Sequence, residues 1–264
     1  MSWDSQKIMS KLQQAIDQHN PELQWVKDNL LFMHVSGSRL YGMNREDSDY
    51  DIRGVTLAPK EYWVGAKKFE QFQAGYPEEG IDFVIYDFRK WLHLTQEVNP
   101  NVVETLYVTT DNPNVVFESV HWGFFRNAAK NLINQRAYVG YKGYATQQLK
   151  KMVVKHGNKT GRHDIVDEYG FDLKFAAHGF RLARQGYELL TTNNITFPRP
   201  DAEVLKSVRY GQIYKPNDLD QCVADLTREQ ELLDEALAKT VLPKKSDFDR
   251  YNNLLVLTYE SYVQ

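Results

Sequence analysis

Between Ser5 and His19 the apolar residues Ile8, Leu12 and Ile16 recur every four positions, the spacing that collects side chains on one face of an α-helix. Leu30 to Val35 is a short apolar run that stops at Ser36-Gly37-Ser38, which predicts a buried strand entering a tight turn. Tyr50 to Thr56 alternates apolar and polar residues and predicts a second strand, and Ile81 to Tyr86 a third. Asp87 then fits the N-cap of a helix from Phe88 to Glu97. Asn99-Pro100 fits the start of another that runs through Val102, Val103 and Leu106.

Beyond about residue 120 the pattern becomes helical. Trp122 to Lys155 predicts two helices broken near Gly140 and Gly143, and 156–168 predicts a loop rich in Gly, Asn and charge. Helices follow over 171–190, over 201–210 with Gly211 at its end, over 219–238 and over 248–262. The expected class is α/β (α+β): a mixed-sheet domain over 1–120, then a helical domain over 121–264.

Composition excludes several alternatives. Apolar residues make up 42% and charged residues 25% of 264 positions, as in ordinary folded chains and unlike disordered ones. Cys222 is the single cysteine, so no intrachain disulfide can form, and its helical surroundings predict packing. The first residues lack a secretory pattern and no apolar run is long enough for a membrane span, so a cytoplasmic setting is expected.

The net charge of −3 argues against a strongly basic nucleic-acid binder, but it averages unlike segments. Residues 1–120 carry 11 basic and 18 acidic side chains, and residues 121–215 carry 16 basic and 7 acidic. An acidic block followed by a basic one suits a site in which metal-binding carboxylates work with cationic phosphate contacts.

The acidic block holds the chemistry. A Gly in the turn after a buried strand lets backbone N–H groups face a phosphate, and Gly37-Ser38 stands there. Ten residues separate Ser38 from Asp49, and Asp49-Tyr50-Asp51 opens the second predicted strand, where residues two apart share a face. Asp82 lies between Ile81 and Phe83 in the third, a costly place for a carboxylate unless a cation or a proton compensates it. Glu79 and Asp87 are alternative third carboxylates, less well placed than Asp82. Arg39 and Arg53 flank the acidic pair and suit either phosphate contact or charge balance; Tyr41 suits base stacking or packing.

Val35-Ser36-Gly37-Ser38-Arg39-Leu40-Tyr41-Gly42 with Asp47-Ser48-Asp49-Tyr50-Asp51-Ile52-Arg53-Gly54-Val55 resembles the signature of the polymerase-β-type nucleotidyltransferase superfamily. More narrowly, the chain resembles the bacterial and phage predicted nucleotidyltransferases called RNA-ligase-associated. Asn99-Pro100-Asn101 with Glu104-Thr105-Leu106 carries that likeness, as does Lys174 to Leu182; it spans roughly residues 30–215. The resemblance implies that Asp49, Asp51 and Asp82 bind Mg²⁺ (or Mn²⁺) and are catalytic. It implies that Ser38, with the Gly37 turn, contacts the phosphates of a nucleoside triphosphate; Arg39 is a further expected nucleotide contact on its own position beside the acidic pair.

In the basic segment Lys174, His178 and Arg181 fall at i, i+4 and i+7 on one helix face and are the remaining expected nucleotide contacts. Lys142, Tyr144, Lys150, Lys151 and Lys155 mix rings and positive charge, as an RNA acceptor would require and as an exposed helix would also show. The expected reaction is transfer of a nucleoside monophosphate to a hydroxyl, with RNA or tRNA as acceptor. The alternatives are nucleotidylation of a protein or small molecule, and an inactive nucleotide-binding or interaction module.

Overall fold

The computed structural model describes residues 4–153 and 163–263. Along the chain come α1 (Ser5–His19), α2 (Trp25–Asp28), β1 (Leu30–Val35), α3 (Gly37–Leu40), β2 (Tyr50–Thr56), α4 (Lys60–Trp63), β3 (Gln71–Tyr76) and β4 (Ile81–Asp87). Then follow α5 (Phe88–Gln96), α6 (Pro100–Val103), β5 (Val115–Glu118), α7 (Trp122–Lys130), α8 (Arg136–Val153) and α9 (His163–Tyr169). The last helices are α10 (Leu173–Thr192), α11 (Ala202–Arg209), α12 (Leu219–Lys239) and α13 (Phe248–Tyr262). The chain is of the α/β class, and it divides into two compact units.

The first unit comprises residues 1–96, 102–132 and 246–264. Its five strands are ordered β3-β4-β2-β1-β5, with β2 and β4 parallel and every other neighbour antiparallel. Because side chains alternate across a sheet, each face has its own covering. Met33, Val35, Ile52, Phe72, Ala74, Ile81, Phe83 and Ile85 join Ile8, Leu12, Ala15 and Ile16 of α1 in one buried cluster, which accounts for the four-residue period of that helix.

On the other face Phe32 stacks on Trp122 with centroids 4.7 Å apart, and Trp122 meets Trp91 at 5.0 Å. Tyr262 reaches Phe125 at 5.2 Å, so α13, although last in sequence, belongs with the sheet. The unit therefore extends past the expected boundary near residue 120 and regains the C-terminal helix.

The second unit, residues 97–101 and 133–245, is built on α8, α10 and α12. Trp122 to Lys155 does form two helices, but the break lies at 131–135, and Gly140 and Gly143 sit inside a continuous α8. Gly140 serves close packing there: a Cβ would come within 2.8 Å of the Val98 carbonyl oxygen. The expected loop over 156–168 contains α9; Lys155 and the start of that stretch lie outside the described residues. Cys222 is buried, its Sγ 3.7 Å from Met152 Sδ, and burial pushes its thiol up to about 12.

Two glycines predict opposite outcomes. A Cβ on Gly186 of α10 would lie 2.6 Å from Tyr141 Cβ and 2.9 Å from its Cγ, so α8 and α10 must part to admit it. Gly186→Ala is expected to cost about 1–3 kcal/mol. Gly143 has nothing within 4 Å of its would-be Cβ, and Gly143→Ala is expected to add about 0.5–1 kcal/mol through helix propensity alone. Thermal unfolding of the two variants measures both signs.

Candidate active site

Residues 36–43 form a turn fastened at several points. Ser36 N donates to the Asp51 carbonyl at 2.6 Å, Tyr41 N to the Gly37 carbonyl at 3.2 Å and Met43 N to the Ser38 carbonyl at 2.8 Å. Gly37 has φ +63°, and a Cβ there would stand 2.0 Å from Asp51 Oδ2. The Asp51 carboxylate thus lies directly against the backbone of the Gly37-Ser38 turn, a contact that only glycine admits.

Asp51 and Asp82 are direct register partners on the parallel strands β2 and β4. Their side chains leave the same face of strands about 4.8 Å apart. Asp82 is exposed rather than enclosed between its apolar neighbours, so its position is less costly than the sequence suggests. Partial desolvation still raises its carboxyl and the Asp51 charge adds to the rise, while Arg53 opposes it. Two neighbouring carboxylates, one of them resisting ionisation, make a place where a divalent cation would be favourable.

Asp49 stands one residue before β2, where Tyr50 N donates to the Gly80 carbonyl at 2.7 Å. Asp49 Oδ1 lies beside Gly80, 3.0 Å from where a Cβ would be. Among the described residues no three His, Cys, Asp or Glu side chains converge into a metal-holding group. The structure therefore pairs Asp51 with Asp82 and leaves Asp49 on the adjoining loop.

Arg39 explains how that loop is held. Its guanidinium donates to the carbonyls of Ser48 at 2.6 Å, Asp49 at 3.3 Å and Glu46 at 3.4 Å, and stacks 3.7 Å from the centre of the Tyr50 ring. It ties the Gly37-Ser38 turn to the Asp49 loop. Arg39→Met is expected to quicken amide hydrogen exchange over 46–50 by about tenfold, the worth of one or two charge-assisted hydrogen bonds. Unchanged exchange with weakened nucleotide binding would make Arg39 a phosphate ligand instead.

The alternative carboxylates are engaged elsewhere. Glu79 pairs with Lys11, and Asp87 is buried at the end of β4, accepting from Arg89 Nε at 2.7 Å. Sequence reasoning gave no structural task to Glu104, which is 1% exposed and accepts from Tyr41 Oη, at 2.8 Å and 2.9 Å from its two oxygens. That bond anchors the far end of the Gly37-Ser38 turn and gives Tyr41 a packing role. The signal in the chain was a single Glu inside the apolar stretch Val102 to Val108.

In the second unit Lys174 and His178 are half-buried on α10, and Arg181 is buried with its guanidinium donating to Gln185 Oε1. Asp172 caps the helix by accepting from Lys174 N and Phe175 N.

The family described as the RNA repair pathway DNA polymerase beta family matches residues 5–256. The chain belongs to it. Membership places the protein among polymerase-β-type nucleotidyltransferases and agrees with the resemblance read from Gly37 to Val55. Over 77 residues the chain is 29% identical to the uncharacterized protein YcgL of Bacillus subtilis (strain 168), covering 29% of this chain and 30% of that protein. The chain thus spans under a third of that relative's length. A nucleotidyltransferase-like protein from Exiguobacterium sibiricum 255-15 is 12% identical at a TM-score of 0.30, over 95% of this chain and 81% of that one. No helix among the described residues is long and apolar enough to cross a membrane.

Proposed function

We propose that the protein transfers a nucleoside monophosphate from a nucleoside triphosphate to a hydroxyl of RNA. The observation that carries this reading is the Asp51 carboxylate seated against the Gly37 turn and paired across strands with Asp82. The turn presents Ser38 and backbone N–H groups to phosphate oxygens. Asp82, whose proton affinity is raised, accepts the proton of the attacking hydroxyl. The hydroxyl oxygen bonds to the α-phosphorus, the bond to the β-bridging oxygen breaks, and pyrophosphate leaves.

Asp51 and Asp82, joined by Asp49, are the residues that would hold Mg²⁺ or Mn²⁺; their all-oxygen donor set fits these hard cations. A divalent cation there would neutralise charge on the triphosphate and on the departing pyrophosphate. Arg39 holds the Asp49 loop; Lys174 and His178, half-buried on α10, are the candidate nucleotide contacts of the second unit, whereas Arg181 is buried and donates to Gln185. RNA is favoured as acceptor by the family description and by the basic excess over residues 121–215.

The test is turnover of each of the four NTPs with Mg²⁺ against total RNA, total protein and no acceptor. The proposal expects label on RNA and RNA affinity that falls steeply with salt. Label on protein or on a small molecule would replace RNA as the acceptor. Nucleotide binding without turnover on any acceptor would make the chain an inactive binding module.

A further inference from the structure

Arg53 and His34 face each other directly across β2 and β1, and both have unused bonding capacity. Register partners in an antiparallel pair share a face, and Arg53 also shares a face with Asp51 two residues away. His34, Arg53, Asp51 and Asp82 therefore stand together on one side of the sheet. Arg53 is half-buried, yet among the described residues it forms no ion pair and no side-chain hydrogen bond. Its charge acts on both Asp82 and His34. A guanidinium has five N–H donors, and leaving them unpaired in a partly buried site is costly unless a ligand completes them.

His34 supplies the complement. It is fully buried and stacked 5.4 Å from Phe32. Its Nδ1 lies 3.1 Å from the Val35 carbonyl, which can only accept, so Nδ1 carries the proton and Nε2 offers a lone pair. That Nε2 is buried and has no partner among the described residues. Burial lowers the ring's pKa to about 4, so the imidazole stays neutral and remains an acceptor at neutral pH. A donor fork without acceptors thus stands opposite an acceptor without a donor, beside the two carboxylates.

Resting on the nucleotidyl-transfer reading, we infer that Arg53 binds the triphosphate of the incoming nucleotide and that His34 is its positioning residue. With nucleotide bound, one N–H of Arg53 turns to His34 Nε2, the acceptor left unpaired here, and this fixes the plane of the guanidinium. The remaining N–H groups then meet phosphate oxygens in the fork geometry that guanidinium provides and lysine does not.

The test is equilibrium binding, with Mg²⁺, of the four NTPs and of the corresponding nucleosides. Arg53→Met is expected to weaken NTP binding by roughly tenfold to a hundredfold and to leave nucleoside binding unchanged. His34→Phe should weaken NTP binding in the same direction by roughly threefold to tenfold. The double variant should bind as Arg53→Met does, because the histidine acts only through the arginine. Should His34→Phe fail to fold by circular dichroism, His34→Gln, which keeps an acceptor, is expected to stay near wild type. Losses that multiply in the double variant, equal loss of nucleoside binding, or full NTP affinity in Arg53→Met would each overturn the inference. The last result, with wild type binding NTP, would leave the nucleotidyl-transfer reading standing; wild type binding none of the four would remove both.

Discussion

Asp51→Asn and Asp82→Asn are each expected to lower pyrophosphate release by roughly a hundredfold to a thousandfold, the scale on which removal of a preorganised charge acts. The two changes together should cost far less than the product of the separate losses, because the carboxylates work as one pair. Stability should move the other way. In the folded chain ionisation of the exposed Asp82 is resisted by partial desolvation and by Asp51, so its pKa is raised above the unfolded value. A carboxyl of raised pKa favours the fold when protonated and loses that contribution as pH climbs past the unfolded value. Asn at position 82 removes the cost of holding two adjacent negative charges, so the variant should be at least as stable as wild type at pH 7. Activity loss with an unchanged or higher Tm would separate chemistry from misfolding. Asp47→Asn, an exposed neighbour in the same acidic stretch, should leave turnover near wild type.

Gly37→Ala is the second large effect. A side chain at φ +63° costs about 1–2 kcal/mol in backbone strain alone. The added methyl would also stand 2.0 Å from Asp51 Oδ2, so the carboxylate has to leave the turn. Displacement by an ångström at a reacting centre costs roughly a hundredfold, and a loss of that size is expected in kcat/KM. Gly123→Ala is the matched control, with no atom within 4 Å of its would-be Cβ, and should retain activity. If Gly37→Ala kept full activity, the contact between Asp51 and the turn would have no catalytic meaning.

Much of this was legible in the chain because its strongest signals are local. The four-residue period of Ile8, Leu12 and Ile16 is the face of α1 that covers the sheet, and the apolar run Leu30 to Val35 is β1 in full. The glycine after β1 marked a left-handed turn, and Asp51 and Asp82 were recognisable as polar residues set into apolar strands. What escaped depends on partners distant in sequence. β5 is a half-buried edge strand of four residues whose existence rests on pairing with β1. β3 did show alternation, with Phe72 and Ala74 inward, but Gln71, Gln73 and Gly75 weakened it. Glycine reads as a helix breaker, yet at position 140 it permits close packing inside α8.

The same distinction applies within the site. Spacing alone put Asp49 on the strand with Asp51, whereas the strand starts one residue later and Arg39 gathers the preceding carbonyls. Arg39, expected at the phosphates, has its guanidinium engaged with those carbonyls and with the Tyr50 ring. His34 gave no signal of its own inside an apolar run, because its meaning comes from the residue opposite it on β2.

The central claim is that this turn and its paired carboxylates move a nucleoside monophosphate. Two parallel reactions test it most directly, one with NTP labelled at the α-phosphorus and one at the γ-phosphorus, each with Mg²⁺ and RNA. The predicted result is α-label joined covalently to RNA, γ-label recovered wholly in pyrophosphate, and neither product with Asp51→Asn. Transfer of the γ-label, or α-label incorporation that survives Asp51→Asn, would contradict it.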